Sequence, residues 1–392
     1  MITVLGLDGS LLSSPAQERL ASAALVVGGR RQLQAVPLPG GVPTAELGRD
    51  TASALAVLQE CAGDAVVLAS GDPGLFGVLR LVRSRLPDAE VEVLPGVSSV
   101  ALAFARAGLP WDDAVVVSAH GRELAPALAA CRAHPKVAVL TSDGRDAAQL
   151  ASALQGSGRR LFVAERLGLP GERTRWLDGA DDGPIDDLNV VLAVDPGRAV
   201  GDKGWLAGWS APTGWALPES TFAHRDGMLT KSEVRAVALA RLGPRLGETV
   251  WDVGAGSGAV AVECARLGAA VVAVEQGDTA HLRANVAAFG VDVQIVHGRA
   301  PQALEGLPDP DAVFVGGGGN DVAAIAAACR ARGPRTVVVA LATLERLGPV
   351  RAALAPYAVD GVLLQASRLR ALGDATGLVA ANPVLLVWGE RP

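Results

Sequence analysis

Residues 249–263 read TVWDVGAGSGAVAVE, and this stretch decides the fold of the second half of the chain. An apolar strand leads into three glycines in G-x-G-x-G spacing, Gly254, Gly256 and Gly258, and a helix is predicted after them. Glycines at the end of a strand allow a sharp turn and let a ligand approach the backbone closely. The next apolar strand ends in Glu275, whose carboxylate can accept hydrogen bonds from both hydroxyls of a ribose. Together these features predict a βαβ unit that binds a nucleoside-containing ligand.

Two cofactors compete for this geometry. A dinucleotide fold prefers G-x-G-x-x-G, because the third glycine lets the helix pack closely under the pyrophosphate. Here the spacing is shorter, and Asp252 places a negative charge before the loop. Such a charge opposes a pyrophosphate but suits the amino and sulfonium groups of S-adenosylmethionine. The sequence therefore favours a class I methyltransferase unit, and a nicotinamide dehydrogenase and a glycine turn without a ligand remain the alternatives.

The same alternation of strand and helix extends through nearly the whole chain. Short β-branched runs are separated by Ala- and Leu-rich stretches of helical length, which predicts an α/β fold with sheets covered on both faces. The predicted strands are residues 2–5, 25–27, 65–68, 91–94, 114–118, 137–140, 161–164, 190–194, 249–253, 270–274, 293–296, 312–315, 336–340, 362–366 and 384–388.

Length and composition limit the classes of protein that fit. The 392 residues suffice for about two to three domains, and 50% hydrophobic against 19% charged residues excludes a disordered chain. The formal net charge is −6 and the chain has no basic block, which argues against a nucleic-acid binder.

The sequence predicts neither a signal peptide nor a membrane span. The amino terminus, MITVLGLDGS, has no basic region before an apolar stretch, so no signal peptide is predicted. The longest uncharged stretch near the C-terminus, residues 375–389, is shorter than the roughly 20 apolar residues of a membrane span. Four scattered cysteines without a Cys/His cluster predict free thiols in a reducing compartment and no metal site. We expect a cytoplasmic protein.

The boundary between domains is predicted in a Gly/Pro-rich stretch that lacks periodicity. Trp205, Trp209 and Trp215 lie within it, and so much aromatic area is expected to pack against a domain. We predict a first domain at residues 1–200, a connector at 201–220 and a second domain at 221–392. One large doubly wound domain with an insertion is the alternative.

The segment FAHRDGMLTKSEVR, residues 222–235, precedes the glycine loop. Thr230 is placed to cap a helix that begins at Lys231, with Glu233 at the capping-box offset. A segment at this position can also fold over an active site. We therefore name four catalytic candidates in it: His224, Asp226, Thr230 and Lys231.

Further candidates follow other strands of the second half. After the strand at 312–315 comes GGGGN, residues 316–320, where a ligand is expected to pass close to the backbone. The cofactor candidates among these loops are Gly298, Gly316 and Gly317. Arg368 and Arg370 lie close together near the C-terminus. A solvated face is the simpler interpretation of these two arginines, and binding of substrate carboxylates is the functional one.

In the first half, polar loops follow three strands, at residues 71–74, 95–99 and 118–122. Each loop alone is an ordinary turn. Because open α/β sheets bind ligands outside the carboxyl ends of their strands, three such loops together predict a second ligand crevice. Its candidate residues are Gly71, Asp72, Ser98 and Ser99 for the cofactor, and His120 and Arg122 for the substrate.

These motifs resemble two known families. GDPGLFG, PGVSS and SAHGR, in this order, resemble the tetrapyrrole (corrin/porphyrin) methylases. FAHRDGMLTKSEVRA, WDVGAGSG, GGGGN and NPVLLVWG resemble the decarboxylating precorrin methyltransferase domain. The resemblance spans essentially the full chain. It departs from the family pattern in the first glycine loop, residues 6–9, which is shorter than usual.

The resemblance implies fold, cofactor and reaction. It implies a tetrapyrrole methylase fold of two α/β subdomains, followed by a class I methyltransferase domain with a seven-stranded, Rossmann-like sheet. It also implies two S-adenosylmethionine sites and methylation of a precorrin-6 type corrin precursor at carbons 5 and 15. Loss of the ring C acetate carboxyl would then give a precorrin-8 type product of cobalamin biosynthesis. We expect a homo-oligomer; a single-site methyltransferase on another tetrapyrrole and a non-catalytic nucleotide sensor are the alternatives.

Overall fold

The computed structural model describes residues 1–48, 51–177, 183–201, 206–209, 212–225 and 229–392. The chain divides into two compact units. The first consists of Met1–Arg122 and Lys136–Gly208, and the second of Glu123–Pro135 and Trp209–Pro392. No helix within the described ranges is long and apolar enough to cross a bilayer.

The first unit begins with a wholly parallel sheet of five strands in the order β3-β2-β4-β1-β5. Its strands are β1 (Ile2–Leu7), β2 (Leu25–Gly28), β3 (Thr44–Glu46), β4 (Ala65–Ser70) and β5 (Val91–Leu94). The helices of this region are α1 (Ser14–Ala21), α2 (Arg30–Ala35), α3 (Thr51–Glu60), α4 (Val78–Arg85) and α5 (Ser99–Ala107). The carboxyl ends of β1, β4 and β5 therefore meet at one edge of the sheet.

A second five-stranded sheet completes the first unit, in the order β6-β7-β10-β8-β9. Its strands are β6 (Val115–Ser118), β7 (Lys136–Leu140), β8 (Arg160–Glu165), β9 (Arg173–Leu177) and β10 (Asn189–Val194). Only β6 and β7 pair in parallel, and the other neighbours are antiparallel. Two helices lie along this part of the chain, α6 (Ala125–Ala133) and α7 (Gly144–Ala153).

The second unit is built on a seven-stranded sheet in the order β13-β12-β11-β14-β15-β19-β16. Its strands are β11 (Thr249–Val253), β12 (Ala270–Glu275), β13 (Val293–His297), β14 (Ala312–Val315), β15 (Thr336–Leu341), β16 (Ala358–Leu364) and β19 (Val384–Glu390). Strand β19 runs antiparallel to both of its neighbours, whereas β11–β15 are mutually parallel. Between β16 and β19 the chain forms a separate hairpin of β17 (Ser367–Leu372) and β18 (Ala375–Ala380).

Helices cover both faces of this sheet. They are α8 (Ser232–Leu242), α9 (Ala259–Arg266), α10 (Ala280–Ala288), α11 (Val322–Ala331) and α12 (Leu347–Leu354). Adjacent residues of β11 point to opposite faces: Val250 packs with α8 and α9, and Trp251 packs with α11 and α12. The predicted α/β fold, with a seven-stranded sheet in the second half, is confirmed. Single-turn 3₁₀ helices lie at Pro196–Arg198, Glu219–Thr221, Gln302–Leu304, Gly319–Asp321 and Leu344–Arg346.

Helix α6 follows β6 in the chain but belongs to the second unit, where it packs against β12. Its small side chains Ala127, Ala130 and Cys131 are buried. Trp209, from the predicted connector, contacts His134 at the end of this helix edge-on, with ring centroids 5.3 Å apart. Trp215 is 62% exposed, contrary to the expectation that it packs down. Trp205 lies outside the described residues.

Four strands were not predicted from the sequence: β3, β9, β17 and β18. Their sequences, TAE, RTRWL, SRLRAL and ATGLVA, lack the runs of β-branched residues that the prediction relied on. Both strands of the β17–β18 hairpin are exposed along almost their entire length.

Candidate functional site

A cavity of about 1270 Å³ lies in the second unit at the carboxyl ends of β11, β12 and β14. The strand order reverses between β11 and β14, and open α/β sheets bind ligands at such a switch point. Eight of the sequence candidates line this cavity: Thr230, Lys231, Gly254, Gly256, Glu275, Gly298, Gly316 and Gly317. The chain therefore brings the glycine loop, the second-strand acid and part of the 222–235 segment around one space.

The glycine loop after β11 requires its glycines. Gly254 has φ +74°, and a Cβ there would lie 2.8 Å from Cα of Gly317. Gly258 has φ +77°, and its Cβ would lie 2.0 Å from a methyl carbon of Leu282. A side chain at Gly254 would force the two loops apart, whereas one at Gly258 would clash with the side chain of Leu282. Gly258, a cofactor candidate, is itself outside the cavity lining. The close approach at Gly254 explains why GAGSG and GGGGN occur together.

Glu275, at the end of β12, holds the loop through two short hydrogen bonds. Its Oε2 accepts from the backbone N–H of Gly256 at 2.7 Å, and its Oε1 accepts from that of Gly277 at 2.7 Å. Each carboxylate oxygen can still accept a second hydrogen bond. The carboxylate is therefore oriented at the edge of the cavity, and the residues present fit the ribose of an adenosine cofactor.

Asp252 does not line the cavity, which corrects the expectation that its charge faces the cofactor. The side chain is buried, and Oδ2 accepts a hydrogen bond from the backbone N–H of Ala261 at 2.9 Å. Burial, with a smaller contribution from the charge of Glu275, raises the pKa of Asp252 to about 7. Asp252 thus holds the first turn of α9, because alternation along β11 directs it toward the same face as Val250.

The 222–235 segment contributes a different set of residues from the one predicted. Arg225 lines the cavity together with Thr230 and Lys231. His224 is outside the lining, and its Nδ1 is buried without a hydrogen-bond partner among the described residues. Asp226 lies outside the described residues. Sequence reasoning passed over Arg225 although it stands between two named candidates.

The predicted helix cap was also wrong. Helix α8 begins at Ser232, and its N-cap residue Lys231 makes no side-chain capping bond. Instead, Oε1 of Glu219 accepts the backbone N–H of Ser232 at 3.0 Å. The cap is therefore supplied by a residue far outside the capping-box spacing, which leaves Thr230 and Lys231 facing the cavity.

A buried ion pair between α8 and α9 fixes the backbone of the chain on either side of the 222–235 segment's start. Arg235 on α8 donates from Nε to Oε1 of Glu263 on α9 at 2.8 Å, and both side chains are 0% exposed. Arg235 also donates to the carbonyls of Thr230, at 2.6 Å, and Leu217. Glu263 accepts the backbone N–H groups of Leu217 and Ala216 at 2.8 and 2.9 Å. Glu263 was not among the sequence candidates.

Arg368, predicted to bind substrate, is engaged by two protein carboxylates. It donates to both oxygens of Glu219, at 2.6 and 2.7 Å, and to Glu233 at 2.7 Å. The hydrogen bonds from Arg368 lower the pKa of Glu219 to about 2. Arg368 therefore attaches the β17–β18 hairpin to the start of α8. Because its charge is neutralised by Glu219 and Glu233, we assign Arg368 a structural role. Arg370 lies on the same strand and is exposed.

In the first unit, three glycine-containing loops meet at the carboxyl ends of β1, β4 and β5. The N–H of Gly71 donates to Leu7 at 2.6 Å and its carbonyl accepts from Gly96 at 3.2 Å. A Cβ on Gly6 would lie 2.0 Å from that same carbonyl oxygen. The short loop at residues 6–9 is thus packed backbone to backbone, and Oδ2 of Asp8 accepts the N–H of Val97 at 2.8 Å.

The other candidates of the first unit have local partners. Asp72 accepts the N–H of Gly74 at 2.7 Å, and Ser98 caps α5 by accepting that of Ala101 at 3.1 Å. Ser99 is the first residue of α5. The two substrate candidates, His120 and Arg122, are exposed after β6, and Arg122 donates to the carbonyl of Ser118 at 3.2 Å. Their binding roles stay predictions.

The sheet of the second unit, its glycine loop at the switch point and the acid on β12 define a class I, S-adenosylmethionine-dependent methyltransferase unit. Two different family models match the two units. The precorrin methyltransferase domain matches residues 220–390, and the tetrapyrrole (corrin/porphyrin) methylases match residues 5–177.

Comparison with individual relatives gives the particular family. The chain is 36% identical to a precorrin-6Y C(5,15)-methyltransferase [decarboxylating] of Sinorhizobium sp, over 98% of this chain and 94% of the relative. The chain therefore belongs to the family of decarboxylating precorrin-6Y C(5,15)-methyltransferases, and the resemblance found in the sequence is confirmed.

Two shorter relatives each match about half of the chain. A probable cobalt-precorrin-6B C(15)-methyltransferase (decarboxylating) of Pyrobaculum calidifontis is 37% identical over 44% of this chain and 93% of the relative. A cobalt-precorrin-7 C(5)-methyltransferase of Salmonella typhimurium is 31% identical over 50% of this chain and 99% of the relative.

We predict that Glu275→Ala weakens binding of S-adenosylhomocysteine to the second unit. The variant loses the ribose acceptor and the hydrogen bonds that orient the loop, which costs roughly 1.5–3 kcal/mol, or about ten- to a hundred-fold in affinity. Calorimetric titration of the full chain measures this change. Glu305→Ala, an exposed acid outside the cavity, is the control. An unchanged dissociation constant in Glu275→Ala would show that this carboxylate does not contact the cofactor.

We predict that Arg368→Ala lowers the free energy of unfolding by about 1–2 kcal/mol at neutral pH, a value reduced for solvent screening because Arg368 is 44% exposed. The folded-state pKa of Glu219, about 2, lies below its ordinary 4.5, so the ion pair stabilises fully above pH 4.5 and loses this effect toward pH 2. The deficit of the variant should therefore shrink as the solution is acidified. Urea unfolding between pH 7 and pH 3 tests this, with Arg370→Ala as the control. A deficit independent of pH would refute the assignment.

Proposed function

We propose that each unit carries one methyl transfer, with the second unit acting at carbon 15 and the first at carbon 5. The chain is an S-adenosylmethionine-dependent C-methyltransferase of cobalamin biosynthesis that methylates a precorrin-6 type substrate at both carbons. It also removes the carboxyl of the ring C acetate as carbon dioxide. We assign that decarboxylation to the second unit.

The main support for this proposal is the cavity of the second unit. Its 1270 Å³ is enough for a cofactor and part of a large second ligand, and its rim combines Glu275 with the cations Arg225 and Lys231. The acid suits a ribose, and the cations suit the carboxylates of a tetrapyrrole. The lining thus offers separate contacts to the two ligands. We include Thr230 and Lys231 in the catalytic site and leave out His224, whose imidazole is outside the lining.

The chemistry asks little of the side chains. S-adenosylmethionine supplies an activated methyl group on its sulfonium, and a carbon of the macrocycle supplies the electron pair. Holding the two at near-attack distance then provides much of the rate enhancement. This reaction needs no side-chain nucleophile, and the residues of the cavity are suited to orienting ligands and excluding water.

Coupling in one cavity follows from where the electrons go. When the acetate loses carbon dioxide, the electron pair of the broken C–C bond enters a system conjugated to the adjacent meso carbon. That carbon can then form the bond to the methyl group before water protonates it. The existence of a half-length C(15) relative named as decarboxylating supports this pairing, and a separate half-length C(5) relative supports the division of labour.

In the first unit, we propose that the glycine-rich strand ends bind the second S-adenosylmethionine. Gly71, Asp72, Ser98 and Ser99 all lie at the carboxyl edge of the parallel sheet, where backbone groups pack closely enough to exclude side chains. We propose His120 and Arg122, on the loop after β6, as substrate contacts of this unit. The four cysteines are free, which supports the cytoplasmic location that we propose.

The division of labour predicts distinct products for two variants of the full chain. Lys231→Ala should abolish carbon dioxide loss together with carbon 15 methylation. Gly71→Val, which displaces the loop after β4 in the first unit, should leave a product one methyl heavier and one carbon dioxide lighter. Mass spectrometry of products from the native chain and both variants separates these outcomes. A Lys231→Ala product that is methylated at carbon 15 but keeps its carboxyl would contradict the coupling.

We also propose that the chain is a homo-oligomer that associates through the β17–β18 hairpin. Leu369 and Leu378 are cross-strand partners, and they are 78% and 69% exposed. Leu372 on the same hairpin is 59% exposed. A two-stranded hairpin is marginally stable alone, and exposed leucines on it are best covered by another copy of the same hairpin.

This surface predicts that Leu369→Asp shifts the chain toward the monomer. Sedimentation velocity across a concentration series measures the shift. Val57→Asp, an exposed apolar residue on α3, is the matched control and should leave the oligomer intact. A native chain that sediments as a monomer at all concentrations would exclude this interface.

A further inference from the structure

Asn285 on α10 joins two separate parts of the second unit. Its Oδ1 accepts the backbone N–H of Ala223 at 2.7 Å, and its Nδ2 donates to the carbonyl of the same residue at 2.8 Å. The second N–H of Nδ2 donates to the carbonyl of Ser257 in the glycine loop, also at 2.8 Å. Both donors and the acceptor are used, and the side chain is 2% exposed.

The residue held by Asn285 precedes a cavity residue by two positions. Ala223 is fixed at both its N–H and its carbonyl, and Arg225 lines the cavity. On the other side, Phe222 is buried and its ring contacts Phe289, with centroids 5.1 Å apart. The backbone that leads to Arg225 is therefore held by a side-chain amide and an apolar contact, both supplied from α10 and the residue after it.

The glycine loop, by contrast, has its own support. The N–H of Gly254 donates to Val274 at 2.8 Å, and that of Gly258 donates to Ala255 at 2.8 Å. Glu275 holds the N–H of Gly256 at 2.7 Å. Loss of the Asn285 amide would leave these bonds in place, so its main effect falls on the segment around Ala223 and not on the loop that holds the cofactor.

We propose that Asn285 is a positioning residue, which holds the backbone at Ala223, and with it Arg225, in a fixed position relative to the glycine loop. Its amide is hydrogen-bonded to both Ala223 and Ser257, which fixes the distance between them. That distance sets the position of the Arg225 guanidinium relative to the methyl donor. This assignment rests on the proposed function of the cavity. Displacing this backbone moves the guanidinium from its place at the cavity, so the loss falls on binding of the tetrapyrrole.

The proposal predicts a split between kinetic parameters in Asn285→Ala of the full chain. The KM for the tetrapyrrole in the decarboxylating reaction should rise about tenfold or more, while the dissociation constant of S-adenosylhomocysteine at this cavity changes less than about threefold. A merely structural role would reduce the folded fraction, so kcat would fall with KM unchanged. Arg283→Ala, an exposed residue of the same helix, is the control and should match the native chain.

Asn285→Asp provides a second test if the alanine variant does not fold. Aspartate keeps the acceptor for the N–H of Ala223 but loses both donors, and protonation restores one donor in a side chain of the same shape. The ratio of its KM to the native KM, measured at each pH, should therefore fall as the pH is lowered. A ratio close to one at every pH, or a KM within about twofold of native in the alanine variant, would overturn the proposal. Absence of carbon dioxide release in the native chain would instead contradict the proposed function.

Discussion

The buried ion pair of Arg235 and Glu263 is the interaction on which the site of the second unit depends. Both side chains are fully buried, and together they bind the carbonyl of Thr230 and the backbone of residues 216 and 217. Removing Arg235 leaves the buried Glu263 with only the longer ion pair to Arg266, at 3.5 Å, and removing Glu263 leaves a buried guanidinium without its carboxylate. Breaking a buried ion pair typically costs about 3–5 kcal/mol. The pair therefore fixes the positions of α8, α9 and the chain that leads into α8 relative to one another. As a result it also fixes Thr230 and Lys231 at the cavity.

A second constraint is the close approach of backbone to backbone at the strand ends. In the second unit, the glycines after β11 and β14 touch at Gly254 and Gly317. In the first unit, Gly6 near the end of β1 and Gly71 and Gly96 after β4 and β5 do the same. Side chains are excluded from both places, which leaves backbone groups and a few polar residues to face a ligand. The two units thus share close glycine contacts at their strand ends, although the strand orders of their sheets differ.

The features that could be predicted from sequence are local. The strands with continuous apolar runs, the glycine loops and Glu275 all follow from patterns within about 30 residues. Arg225 could have been named as well, because it adjoins other candidates. Asp252 was misplaced because the loop motif was considered without the alternation of side chains along β11, which directs the carboxyl toward α9 and away from the cavity.

The features that could not be predicted join residues far apart in the chain. Glu263 lies 28 residues from Arg235, Asn285 lies 62 from Ala223, and Arg368 lies 149 from Glu219. No spacing rule connects such pairs, and only the packed fold brings them together. The cap of α8 shows the consequence, because the sequence offered a local capping box at Thr230 and the structure uses Glu219.

A double-mutant cycle on Arg235 and Glu263 tests the central claim most directly, with kcat/KM for decarboxylating methyl transfer as the readout. Arg235→Met and Glu263→Met should each lower kcat/KM by about tenfold or more, since each leaves a buried charge without its main partner. The double variant replaces the pair by apolar side chains and should be no worse than the weaker single variant, which gives a large coupling energy. Losses that simply add in the double variant would contradict the account, because the two side chains would then act on the site independently.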